Sequence, residues 1–196
     1  MLTKGDRVID RRGHLFVIED VVKLNSGDEE RDYYRLVPCF DDEYPDDYVS
    51  FVPVSTSSQL IRKILNKKEA DELILSIKDI DSFGEISPRE RKKFFEEVML
   101  KGDRYQICRI IKTLYEYKEE KEKLNKRLTD YETHLLLDLN KIFIQELSLA
   151  LKLEIKSVPD YVQDKIKIRF FNLSGPIAQL ERVPDFESEG LVFESP

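Results

Sequence analysis

Near residue 56 the spacing of apolar side chains changes from alternation to the helical period, so the chain has to fold as a sheet followed by helices. Upstream, Val8-Ile9, Leu15-Phe16-Val17-Ile18, Tyr33-Tyr34-Arg35-Leu36-Val37 and Tyr48-Val49-Ser50-Phe51-Val52-Pro53-Val54 are β-branched and aromatic runs. Turn-forming pieces separate them: Arg12-Gly13, Asn25-Ser26-Gly27-Asp28, and the acidic stretch 41–47. Four or five short strands with little helix signal predict a small, strongly bent sheet of SH3 or Tudor type over residues 1–56. So short a module buries little core, which predicts that it leans on the helical part of the chain.

Downstream the pattern is helical. Ala70, Leu73, Ile74 and Ile77 share one face of a helix over 67–80. Ser87-Pro88-Arg89-Glu90 reads as a capping box with proline at N1, and Gly102 as the C′ stop of the helix it opens. Asp103 suits the cap of the next helix, whose buried stripe is Ile107, Ile110, Ile111 and Leu114. That helix turns highly charged over 117–126. Thr129-Asp130-Tyr131-Glu132 is a second capping box before the longest helix, with Leu135, Leu136, Leu139, Ile142, Phe143, Leu147, Ala150 and Leu151 at helical spacing. Ser157-Val158-Pro159 breaks it, and a short last helix starts at Asp160. The fold class is therefore α+β: a Tudor/SH3-like β-domain at 1–56, then an all-helical bundle domain at 57–168 of four or five helices.

Residues 169–196 fit neither period, and Gly175-Pro176, Pro184, Gly190 and Pro196 interrupt them; they are expected to be a disordered or loosely attached tail. Ala178-Gln179-Leu180 and Phe193-Glu194-Ser195 back-translate as GCTCAGTTG and TTCGAATCC, like the D-arm and T-loop of a tRNA gene. This predicts that the tail is coding sequence running into an adjacent tRNA gene.

The residue inventory excludes several function classes. Two histidines and two distant cysteines, Cys39 and Cys108, give no triad or metal-like spacing, and no Gly-rich phosphate loop is present. No enzyme activity, metal or cofactor is expected. No apolar run reaches the roughly 18 residues of a membrane span, and the N-terminus lacks a secretion signal's apolar core. The expectation is a cytoplasmic, nucleoid-associated monomer with two buried thiols. The net charge of −7, and 13 acidic against 7 basic side chains over residues 1–56, require any nucleic-acid contact to come from a local basic face. Arg89, Arg91, Lys92 and Lys93 at the head of a helix form such a cluster, where free N–H groups and the helix dipole favour phosphate. Lys123, Lys126 and Arg127 form a weaker set, better explained as a solvated helix end.

The order of these features resembles the CarD/CdnL family of bacterial transcription regulators. It rests on Lys4-Gly5-Asp6-Arg7-Val8, Ile18-Glu19, Tyr33-Tyr34-Arg35-Leu36, Phe51-Val52-Pro53-Val54, Glu69-Ala70, Lys101-Gly102-Asp103, the segment Ile110–Tyr115, and Leu128-Thr129 with Glu132 and Leu136. The resemblance covers roughly residues 3–166. Its N-terminal module also looks like the polymerase-interacting domain of transcription-repair coupling factors. The resemblance implies that the β-domain pairs with the RNA polymerase β subunit, partly by adding strand to strand. It implies that the helical domain lies on double-stranded promoter DNA and wedges an aromatic ring into the minor groove, stabilising the open complex. Val21, Lys23 and Phe51 occupy or neighbour the positions expected to face polymerase. Phe51 stands where the family carries an arginine, and alternation also allows it a core position beside Val49 and Pro53. The family's wedge tryptophan is absent; its position falls on Pro88 or Arg89, and Pro88 is also fully explained as a helix N1 residue. Two other readings are compatible with these departures: a DNA-binding protein without polymerase contact, and a protein-only adaptor.

Overall fold

The structure, a computed structural model, describes residues 2–26, 29–40, 44–45 and 47–167. The tail at 169–196, with its expected disorder and its likeness to a tRNA gene, lies outside the described residues. Five antiparallel strands come first: β1 (Arg7–Asp10), β2 (Leu15–Ser26), β3 (Glu29–Pro38), β4 (Ser50–Pro53) and β5 (Ile61–Lys63). They lie side by side in the order β4-β3-β2-β1-β5. The fifth strand follows a single helical turn, α1 (Ser57–Leu60), and pairs with β1 through Val8 opposite Lys63 and Asp10 opposite Ile61. The sheet therefore runs past the boundary drawn at residue 56. Three residues, Ile61-Arg62-Lys63, are too few to carry a readable period.

Pleating sorts the sheet's side chains between two faces. Val8, Phe16, Ile18, Tyr34, Leu36, Val52 and Ile61 form the β-domain's core. Ile9 and Leu15 alternate to the opposite face yet are equally buried, at 1% and 2% exposure. They are covered because that face abuts the helices. Gly13, at φ +94° in the β1–β2 turn, sits so close to α5 that a Cβ there would lie 2.3 Å from Cδ1 of Ile142. The small module does lean on its neighbour.

The helices are α2 (Lys67–Ser76), α3 (Pro88–Leu100), α4 (Arg104–Lys123), α5 (Asp130–Leu151) and α6 (Val158–Ile166). Their caps follow the sequence with one exception. Asp103 accepts from the Gln106 N–H at 3.1 Å, Thr129 and Glu132 make the reciprocal capping box, and Gly102 takes φ +65° after α3. At α3 the expected box is not made. Ser87 Oγ bonds the Glu90 carboxylate at 2.5 Å, with no side-chain bond to the helix backbone. An unforeseen box, Asn66 with Glu69, opens α2. α5 packs against α2, α4 and α6 and carries the bundle's core with Leu135, Leu139, Phe143 and Leu147. Cys108 is buried, and desolvation pushes its thiol far up; Cys39 is only half-buried, against the expectation of two buried thiols. Among the described residues no helix is long and apolar enough to cross a membrane.

Candidate nucleic-acid and partner interfaces

The basic cluster of α3 divides on folding. At 3.6 residues per turn, Arg91 falls on the inward side with Phe95 and Val98, while Arg89, Lys92 and Lys93 face solvent. Arg91 is 8% exposed. Its guanidinium is bonded to the Glu132 carboxylate, donates to the Ile86 carbonyl at 2.8 Å, and lies 4.0 Å from the centre of the Tyr117 ring. Glu132 also takes Lys121 at 3.2 Å and the Thr129 N–H at 2.9 Å. Burial alone would raise the Glu132 carboxyl; Thr129, Lys121 and Arg91 outweigh it and hold the group below its ordinary value. Arg91 thus ties α3 to the start of α5. Its assignment as a DNA-binding residue is corrected: a phosphate cannot reach a guanidinium that is buried and turned inward onto Glu132 and the Ile86 carbonyl.

The remaining cations are exposed but closely accompanied. Lys92 stands 3.9 Å from Glu96 and Lys93 3.9 Å from Glu97, one turn along the helix. Both pairs are solvated, so each is weak and leaves the lysine free to exchange partners. The charges nevertheless cancel. Arg89, Lys92 and Lys93 are matched by Glu90, Glu96 and Glu97 on the same exposed helix. Arg89, next to the helix N-terminus, has no ion pair among the described residues. Pro88 occupies N1, the position for which its fixed φ and missing N–H suit it. At the far end of α4, Lys123, Lys126 and Arg127 are exposed and likewise make no ion pair among the described residues.

The three residues expected to face polymerase are all at the surface, but not on one surface. Phe51 is paired with Arg35, which in turn is paired with Asp20, so these share one face. Val21 is paired with Tyr34, whose ring belongs to the core face, and Lys23 lies on that same side two residues on. β1 pairs with β2 only through residues 15–17, so past the bulge between Ile18 and Asp20 no strand among the described residues covers the other side of β2, and Val21 is 45% exposed although it shares the core-side register; beyond the Val22–Tyr33 pair β2 and β3 run on as a two-stranded arm. Lys23 is held by Glu30 at 3.0 Å. Phe51 is 42% exposed, and its neighbour Val52 fills the core position instead. It sits on β4, which pairs with β3 on one side and ends the sheet on the other.

A third feature had no signal in the sequence. Glu146 of α5 is buried and accepts from Arg62 of β5 at 2.9 and 3.3 Å, from Arg104 of α4 at 2.7 and 2.9 Å, and from the Leu65 N–H at 3.3 Å. Arg104 also donates to the Lys63 carbonyl at 2.7 Å. Burial pushes the Glu146 carboxyl up, but the two guanidiniums prevail and hold it below its ordinary value. This clasp joins the sheet to the bundle. No family model and no curated protein matches the chain.

Proposed function

We propose that this chain is a transcription regulator that docks on the β subunit of RNA polymerase through its β-domain and touches promoter DNA through its helical domain, modulating open-complex stability. One observation carries the docking half: Phe51 is a large, exposed aromatic on β4, the edge strand of the sheet among the described residues. An extended segment of a partner adds to such an edge by main-chain hydrogen bonds, and an exposed ring beside it supplies the buried anchor. The order of the architecture, an antiparallel sheet clasped to a helical bundle, agrees with the CarD/CdnL resemblance. Val21 and Lys23, on the other face, are peripheral to this contact.

The DNA half rests on Arg89, Lys92 and Lys93, with Pro88 beside them. Three cations bound to phosphates give a salt dependence of log K near −3, since each contact contributes roughly −0.9. A second reading, a protein-only adaptor, is favoured by the burial of Arg91 and by the cancelled charge of α3. The test uses the full chain with isolated polymerase β subunit and with a promoter duplex. Phe51→Ala is expected to weaken the β-subunit complex by about 2 kcal/mol, roughly 30-fold. Replacing Arg89, Lys92 and Lys93 by Glu is expected to abolish duplex binding while leaving the fold intact. A wild-type salt slope near zero selects the adaptor reading, and β-subunit binding that ignores Phe51 removes the docking site.

A further inference from the structure

Where the sheet meets the bundle a cleft of about 290 Å³ opens between the β1–β2 turn, the α1–β5 segment and the turn joining α3 to α4. Its volume falls just short of the roughly 300–1,000 Å³ typical of small-molecule sites, which suits a small ligand. Half-buried Met99, Ile107 and Ile142 give it an apolar floor, with exposed Leu60 at the rim. The charged lining is mostly cationic, Arg11, Arg12, Arg62 and Lys101 against Asp10, and Ser58 and Gln59 add neutral polar groups.

These charges are not equivalent. Arg62 is committed to Glu146, and Arg11 donates to the Gln59 carbonyl. Asp10 is committed too: it accepts from the Arg12 N–H at 2.8 Å and the His14 N–H at 2.9 Å and faces His14 Nδ1 at 3.1 Å. Arg12 and Lys101 remain, both exposed, with no side-chain hydrogen bond or ion pair among the described residues. The segments beside them are packed against the bundle. Gly13, next to Arg12, is seated on Ile142, and the Glu146 clasp ties β5 to α4 and α5. Two uncommitted cations over a preformed apolar floor suit one class of ligand: a small molecule with an apolar body and a terminal anionic group. The apolar body leaves water on the floor, and the anion takes charge-assisted bonds from both sides of the seam.

We propose that this cleft is a binding site for a small amphipathic carboxylate, held by Arg12 of the β-domain and Lys101 of the helical domain. The ligand spans both domains, so its binding reinforces their relative placement. The site is separate from Phe51 and from the exposed face of α3, and does not depend on the transcriptional reading.

The test titrates the full chain with 4-phenylbutyrate, whose dozen or so non-hydrogen atoms match the cleft, following amide shifts and heat. One-to-one binding with a dissociation constant of about 0.1–1 mM is expected. The largest shifts should fall on residues 11–13, 59–62 and 99–102. The uncharged analogue 4-phenylbutan-1-ol, and the double variant Arg12→Gln/Lys101→Gln, should each bind about 10-fold more weakly or worse. Neither replaced residue is in an ion pair among the described residues, so the variant's melting temperature should match the wild type. Equal affinity for acid and alcohol, affinity unchanged in the double variant, shifts mapping elsewhere, or no binding at about 10 mM would each overturn the proposal.

Discussion

Replacing Arg91 by alanine separates a structural arginine from a phosphate-binding one. The substitution removes the guanidinium partner of buried Glu132, the donor to the Ile86 carbonyl, and the cation over Tyr117. Breaking a buried ion pair by deleting one member costs about 3–5 kcal/mol, because the other charge stays behind without compensation. Here Glu132 keeps Lys121 at 3.2 Å and the Thr129 N–H at 2.9 Å. The cost should therefore sit near the low end, about 3 kcal/mol. For a chain of this size that lowers the melting temperature by about 6–12 °C. The assay is thermal unfolding followed by far-ultraviolet circular dichroism, with Arg89→Ala as the control. Arg89 is exposed and has no ion pair among the described residues, so its loss should change stability by less than about 0.5 kcal/mol. Duplex binding, measured well below the transition, should survive in Arg91→Ala. A variant that melts like the wild type but no longer binds DNA would overturn the structural role and return Arg91 to the phosphate face.

Two further outcomes test the seam between sheet and bundle. Glu146→Gln leaves Arg62 and Arg104 without their counter-charge and should destabilise the fold by about 3 kcal/mol near pH 7. Because the folded carboxyl is held below its unfolded value of 4.5, its contribution is present above that pH and disappears as pH falls through the folded value. Urea midpoints should thus decline more steeply below pH 4.5 in the wild type than in the variant; parallel pH profiles would contradict this. Gly13→Ala places a Cβ 2.3 Å from Ile142 Cδ1 at a φ of +94°, and should cost about 2–4 kcal/mol from strain and overpacking together. In a double-mutant cycle, Ile142→Ala should recover part of that loss, and strict additivity of the two changes would show that the contact is not the cause.

Local rules wrote much of the architecture into the sequence. The change of period separated sheet from bundle because side-chain alternation and helical spacing are properties of neighbouring residues. The starts of α4 and α5 were readable because Asp103 and Thr129 bond donors only three residues ahead. Ser87 carried the same signature without making that bond, since its hydroxyl meets the Glu90 carboxylate directly. Strand β5 was missed for the opposite reason: its three residues are strand only because β1 lies beside them.

The candidate sites divide along the same line. Composition and order revealed that positive charge clusters at the head of α3 and that Phe51 lies in a strand. The sequence alone left Phe51 between core and surface, because alternation names two faces without saying which is covered. It could not say that Arg91 turns inward while its neighbours stay out, since that depends on Glu132, 41 positions away, arriving with α5. Nor could it link Arg62, Arg104 and Glu146, or set Arg12 across a cleft from Lys101. Periodicity reports on a residue and its own helix or strand. Where a charge finds its partner is decided by packing between elements, which exists only once the chain has closed on itself.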